Sequence, residues 1–177
     1  MKLTETDYLT YQLYTASKLS HIKKSRLRGR LFTTIAFFIL ASFFFMNEKF
    51  SIAVNFLIFA TLSAIFYPVY TAWYYKRHYL KHLREVYKNR MENDSQLEIT
   101  DVYIFSKDNI AEIKVNTSEI EEVNEIKDYY FIKLKSGMSF IIPKREEGNS
   151  KTILDNLKSL ITKNNIQHNV ELDWQWK

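Results

Sequence analysis

Cysteine is absent from the sequence, which removes disulfides, thiol nucleophiles and Cys-ligated zinc or iron–sulfur centres together. Glycine occurs three times and proline twice in 177 residues, so turns must be built mainly from Asn, Asp, Ser and Lys. Charge is missing from one long stretch: residues 31–75 carry only Glu48 and Lys49. Mean hydropathy over the whole chain is nevertheless slightly polar at -0.27, so the apolar content is segregated rather than spread. There is no Gly-rich phosphate loop, nucleophile elbow or metal-binding motif, and the sequence reads as a non-enzyme with no catalytic residue, cofactor or metal.

What is present falls into four parts. Residues 1–30 predict an amphipathic helix from about Asp7, capped by Thr6 or Thr4, with Glu5 and Asp7 at its start and basic residues at its far end. Residues 31–75 hold two apolar runs, Leu31–Met46 and Phe50–Tyr75, separated by Asn47-Glu48-Lys49. The first run spans about 24 Å as a helix and the second about 39 Å, against a hydrocarbon core of about 30 Å. Arg28 and Arg30 lengthen the first by snorkelling to the interface. Pro68 predicts a kink in the second, and Tyr67, Tyr70, Trp73, Tyr74 and Tyr75 suit the headgroup region. A three-residue connector makes the pair an antiparallel transmembrane hairpin. Residues 76–95 read as a basic helical stalk, whose His78 and His82 lie one turn apart and read as interfacial rather than metal-binding.

Charge distribution sets the orientation. Residues 1–30 have seven Lys/Arg against Glu5 and Asp7, and residues 76–90 have six against Glu85. Both feet of the hairpin are therefore strongly basic, while its opposite turn offers one Lys beside one Glu. The positive-inside rule then places both termini in the cytoplasm, for a multi-pass protein of the cytoplasmic membrane. This distribution points to phospholipid rather than nucleic acid. Lys23, Lys24, Arg26, Arg28, Arg30, Lys76 and Arg77, together with Lys144 and Arg145 further on, form the candidate basic face towards anionic lipid.

From Gln96 the apolar period changes to two. Strands are predicted at Leu97–Thr100, Val102–Phe105, Ala111–Val115, Tyr129–Leu134 and Met138–Ile142, a strand or short turn at Ile120–Ile126, and turns at Lys107-Asp108-Asn109 and Ser136-Gly137. A helix capped by Ser150 follows, with Ile153, Leu154, Leu157, Leu160 and Ile161 on one face, ending at Asn164-Asn165. Residues 96–177 thus predict an α+β cytoplasmic domain in which one helix covers a small antiparallel sheet. The alternating tail Val170–Trp176 is expected to pack on that domain. Glu119, Glu121, Glu122 and Glu125 have no His close in sequence and read as a solvated acidic face.

The opening Leu3-Thr4-Glu5-Thr6-Asp7-Tyr8, the short two-helix hairpin, and a β-rich unit ending in Phe140-Ile141-Ile142-Pro143-Lys144 before a helix together resemble the bacterial YcxB-like membrane proteins. Where family members usually carry a Trp after the third strand, this chain has Thr117-Ser118-Glu119-Ile120. The resemblance implies a pleckstrin-homology-like (PH-like) domain held at the cytoplasmic face, and it supplies no functional residues. The functional expectation is a membrane-anchored interaction or regulatory module with the lipid bilayer, a protein partner or a second copy as its contacts. The alternative is a domain that senses anionic headgroups.

Overall fold

The computed structural model describes residues 2–86, 95–145 and 150–177. The stretch 87–94, which includes Lys88, Arg90 and the predicted end of the basic stalk at Asn93-Asp94, lies outside the described residues.

Three helices come first: α1 (Glu5–Lys18), α2 (Ser20–Met46) and α3 (Phe50–Val86). The N-terminus of α1 is fixed by a reciprocal pair. Thr4 is the N-cap, its backbone N–H donating to Asp7 Oδ2 at 2.7 Å, and the Asp7 N–H faces Thr4 Oγ1 at 3.4 Å. This is the capping-box arrangement, which satisfies helix-end donors that have no partner inside the helix. The helical path breaks at Leu19, whose backbone is extended, and resumes at Ser20. Both long helices therefore outrun the apolar runs that predict them: α2 has 27 residues and α3 has 37, with Pro68 inside.

The chain divides into two compact units, one formed by Met1–Tyr11 with Leu80–Gln175 and one by Gln12–Tyr79 with Trp176–Lys177. In the helical unit, α2 and α3 pair in opposite sense. Thr34 meets Ser63 (3.4 Å), Phe37 meets Phe59 (6.1 Å between centroids), and Phe44 stacks on Phe56 at 5.4 Å. Small residues occupy the close positions: Ala41, Ala53 and Ala60 are buried. By length and composition both helices can cross a membrane, and their most apolar windows are only 6% and 11% buried. A core helix of a soluble fold would hide most of that surface.

In the other unit, β1 (Gln96–Ile99), β2 (Tyr103–Lys107) and β3 (Glu112–Asn116) form an antiparallel sheet in that order. A 3-10 turn, Thr117–Glu119, leads to β4 (Ile120–Ile126), β5 (Tyr129–Leu134) and β6 (Ser139–Pro143); α4 (Ser150–Lys163) and β7 (Gln167–Glu171) follow. The second sheet has the order β6-β5-β4-β7. Local chemistry explains the turns. Asp108 Oδ1 accepts the N–H groups of Ile110 and Ala111, and Gly137 supplies the positive φ of 87° between β5 and β6. Asn165 takes a left-handed conformation (φ 48°) just past α4.

One apolar core joins both sheets to α4, through Ile99, Ile104, Val123, Ile132, Leu134, Ile142, Leu157 and Leu160. The periodicity of α4 places Ile153, Leu157 and Leu160 in that core, as its sequence pattern requires. The sheet departs from the antiparallel expectation at its last strand: β7 runs parallel to β4, with Val123 opposite His168 and Glu125 opposite Val170. The reason is the β6–α4–β7 connection, a helical crossover that returns the chain in its starting direction. The strand in the tail begins at Gln167, three residues before the alternation that predicts it.

Candidate functional site

The nine basic residues singled out by the sequence fall into three environments. Lys23, Lys24, Arg28, Lys76 and Arg77 are exposed on the helical unit. Arg77 lies 5.4 Å from the centre of the Trp73 ring, a cation–π distance.

Arg26 and Arg30 instead face α3. The Arg30 Nε donates to the Ala64 carbonyl at 2.9 Å. Arg26 Nε reaches Thr71 Oγ1 at 3.4 Å, and its Nη2 reaches the Pro68 carbonyl at 3.5 Å and the Lys177 backbone oxygen at 2.6 Å. Its guanidinium also lies 5.0 Å from the centre of the Trp176 ring, and the Trp176 indole N–H donates to the Ala72 carbonyl at 2.8 Å. Trp176 thus packs on the helices, whereas the alternation of the tail predicts packing on the β-rich domain.

Lys144 and Arg145, just after β6, are held by carboxylates. Arg145 grips Asp7 with both prongs, Nη1 to Oδ1 at 2.8 Å and Nη2 to Oδ2 at 2.9 Å, and also donates to the Lys2 carbonyl. The Tyr129 hydroxyl donates to Asp7 Oδ1 at 2.8 Å. Asp7 is 1% exposed, so every proton it accepts comes from the protein. Burial alone would push its carboxyl up, but Arg145, the Thr4 backbone N–H and the Tyr129 hydroxyl outweigh that and hold it below the usual aspartate value. Its partner shows the complementary shift: burial first, then the hydrogen bond to Asp7 and its charge, raises the Tyr129 hydroxyl to about 12.

A second cluster gathers residues distant in sequence on β4, β5, β7 and the end of β6. Glu125 accepts from Lys144 Nζ at 2.7 Å through one oxygen and lies 2.9 Å from His168 Nε2 through the other. The Tyr130 hydroxyl also bonds this carboxylate, Lys144 sits 4.7 Å above the Tyr130 ring, and the His168 ring stacks on it at 6.3 Å. Glu125 is drawn below the ordinary glutamate range because Lys144, Tyr130 and His168 together exceed the opposing effect of burial. Burial, followed by Glu125, raises Tyr130 to about 12. Glu125 is therefore no solvated acid without a histidine: the parallel register of β7 delivers His168 to it. No window of sequence contains that pairing.

Within this cluster the charged groups neutralise one another. Among the described residues no group of three His, Asp or Glu is arranged to hold a metal ion. A cleft of about 690 Å³ opens where the β1–β2, β3–β4 and α4–β7 connections meet, lined by Asp101, Asn116, Ser118, Asn164, Asn165 and Gln167 among others. Its lining offers amides and hydroxyls and no Lys or Arg, and its two carboxylates, Asp101 and Glu121, are already paired with Lys163 and Lys133, so it suits neutral hydrogen-bonding groups rather than phosphate.

The family model described as YcxB-like protein matches residues 99–161, the stretch from the end of β1 through most of α4. No curated protein and no solved structure matches the chain.

Proposed function

We propose that the chain is a membrane-anchored module in which the α2–α3 pair forms a transmembrane hairpin and presents the YcxB-like region to partners at the cytoplasmic face. One observation carries the reading: two helices of spanning length have few buried residues in their most apolar windows. A bilayer is the solvent that accepts such a surface. The basic residues before Leu31 and after Tyr75 support cytoplasmic termini. Tethering raises the effective concentration of the β-rich region towards other membrane proteins, and β3, an edge strand with a mostly exposed face, offers strand addition as a docking mode. The PH-like expectation is supported by two small sheets sharing one core with α4, to which this chain adds the parallel strand β7.

A photoreactive residue placed at Ile113 on β3 of the full chain in native membranes tests the interaction reading. A discrete protein adduct, competed by excess unlabelled chain but not by excess chain carrying Ile113→Lys, is expected. Adducts restricted to lipid would contradict it.

Anionic-headgroup sensing is the second reading, favoured by the exposed Lys23, Lys24, Arg28, Lys76 and Arg77. Lys144 and Arg145 contribute less to it, because carboxylates already hold them. Proteoliposomes with and without anionic lipid separate the two cases: protection of the β-rich region from protease that depends on anionic lipid supports sensing, and equal protection opposes it.

A further inference from the structure

Proline at position 68 has no N–H, so the carbonyl four residues earlier, that of Ala64, has no helical donor. Arg30 Nε lies 2.9 Å from that same oxygen. Four residues earlier on α2, Arg26 reaches the Pro68 carbonyl at 3.5 Å and the Thr71 hydroxyl at 3.4 Å, while Thr71 Oγ1 donates to the Pro68 carbonyl at 3.0 Å. Between the two arginines sits Gly29. A Cβ built there would fall 2.0 Å from the Tyr67 hydroxyl oxygen, so the glycine gives Tyr67 the room it takes against α2.

We propose that Arg30, assisted by Arg26, is the interhelical cap of the Pro68 break: a positioning residue that satisfies the carbonyl proline leaves open and so latches α2 to α3 at this level. The chemistry favours arginine because the helices around it supply almost no carboxylate. Between Ser20 and Arg84 the only acidic residue is Glu48, in the connector at the other end of the pair. Guanidinium remains charged in any environment and directs its donors in a rigid fork. An Arg read only as a topology signal would extend into the headgroup layer, whereas Arg30 turns to the partner helix. The contact is local to α2 and α3, while the size of its effect rests on the bilayer reading, since an open carbonyl in hydrocarbon has no water to turn to.

The absence of native cysteine permits a background-free test in proteoliposomes of the full chain. Thr34→Cys with Ser63→Cys, whose hydroxyls lie 3.4 Å apart, reports helix contact as a rate of disulfide formation. Arg30→Ala is expected to slow it roughly tenfold, the factor carried by one charge-assisted hydrogen bond. Adding Pro68→Ala is expected to restore the rate, because an alanine in place of that proline supplies an N–H to the Ala64 carbonyl. An unchanged rate in Arg30→Ala, or an equally slow rate in the double variant, overturns the proposal. Alkaline extraction of the same samples separates the two readings. Release of the parent chain from the vesicles would refute the anchor, while the recovery or non-recovery by Pro68→Ala still decides the cap.

Discussion

Cations are handled in opposite ways by the helical unit and the β-rich unit, and the contrast follows from which partners each sequence provides. In the β-rich unit the strands and loops bring acids within reach, and lysines and arginines find them: Arg145 with Asp7, Lys144 with Glu125, Lys133 with Glu121 and Lys163 with Asp101. In the helical unit acids are nearly absent, and Arg26 and Arg30 bond backbone carbonyls, a hydroxyl and an indole face instead. The same residue type is an electrostatic partner in one setting and a backbone cap in the other. Charge counting along the sequence merges these roles.

The largest effect expected from breaking this contrast is at Asp7. Asp7→Ala leaves the Arg145 guanidinium with only the Lys2 carbonyl and takes from the Tyr129 hydroxyl its carboxylate acceptor, and a cost of about 3 kcal/mol is expected, the range for removing one member of a buried pair. Thermal unfolding of the full chain in detergent measures it. A loss no larger than that of an exposed pair would show that Asp7 is not a structural keystone. Leu157→Ala, fully buried under the sheets, should cost a similar amount, about 2–5 kcal/mol, and gives the scale for a purely apolar loss.

Acid should sharpen the difference between the units. Asp7 and Glu125 have depressed pKa values in the fold. Their stabilisation is therefore complete above the ordinary carboxylate range, about pH 5, and is lost as pH falls through the depressed values. Tyr129 and Tyr130 behave inversely: raised to about 12, they contribute fully below about pH 10 and lose that contribution as pH rises through 12. The expected observation is that near-UV signals of the β-rich unit change at both extremes. Asp7→Asn should weaken the acid dependence, leaving only the part due to Glu125, and an unaltered acid limb would remove Asp7 from the account.

Smaller effects complete the series. Gly29→Ala should displace the Tyr67 ring, because the new Cβ meets the far end of that side chain, and a tyrosine fluorescence or NMR shift without loss of fold is expected. Lys163→Ala, in an ion pair exposed on both sides, should cost at most about 0.5 kcal/mol. A larger loss would mean that surface pairs in this unit act as a network.

Much of the fold was legible because it is written in local periods. The charge-free runs mark α2 and α3, alternation marks the strands, Gly137 marks the β5–β6 turn, and the spacing of Ile153, Leu157 and Leu160 marks α4. Thr4 and Asp7 also carry their capping pattern three residues apart. What could not be read is long-range. Asp7 and Arg145 are 138 residues apart, and nothing in either neighbourhood specifies the other. His168 reaches Glu125 only because a helical crossover makes β7 parallel, a choice set by how α4 returns the chain. Arg26, Arg28 and Arg30 form one basic run in sequence, but helical geometry turns the first and third, four apart, to the same face and leaves the second outside.

Two single-cysteine variants of the full chain, Glu48→Cys in the α2–α3 connector and Ser118→Cys in the β-rich unit, labelled with a membrane-impermeant maleimide in sealed vesicles of known orientation, report whether α2 and α3 cross the bilayer as a hairpin. In inverted vesicles the Ser118→Cys variant is expected to label at once and the Glu48→Cys variant only after the membrane is opened. Labelling of both from the same side would contradict the hairpin.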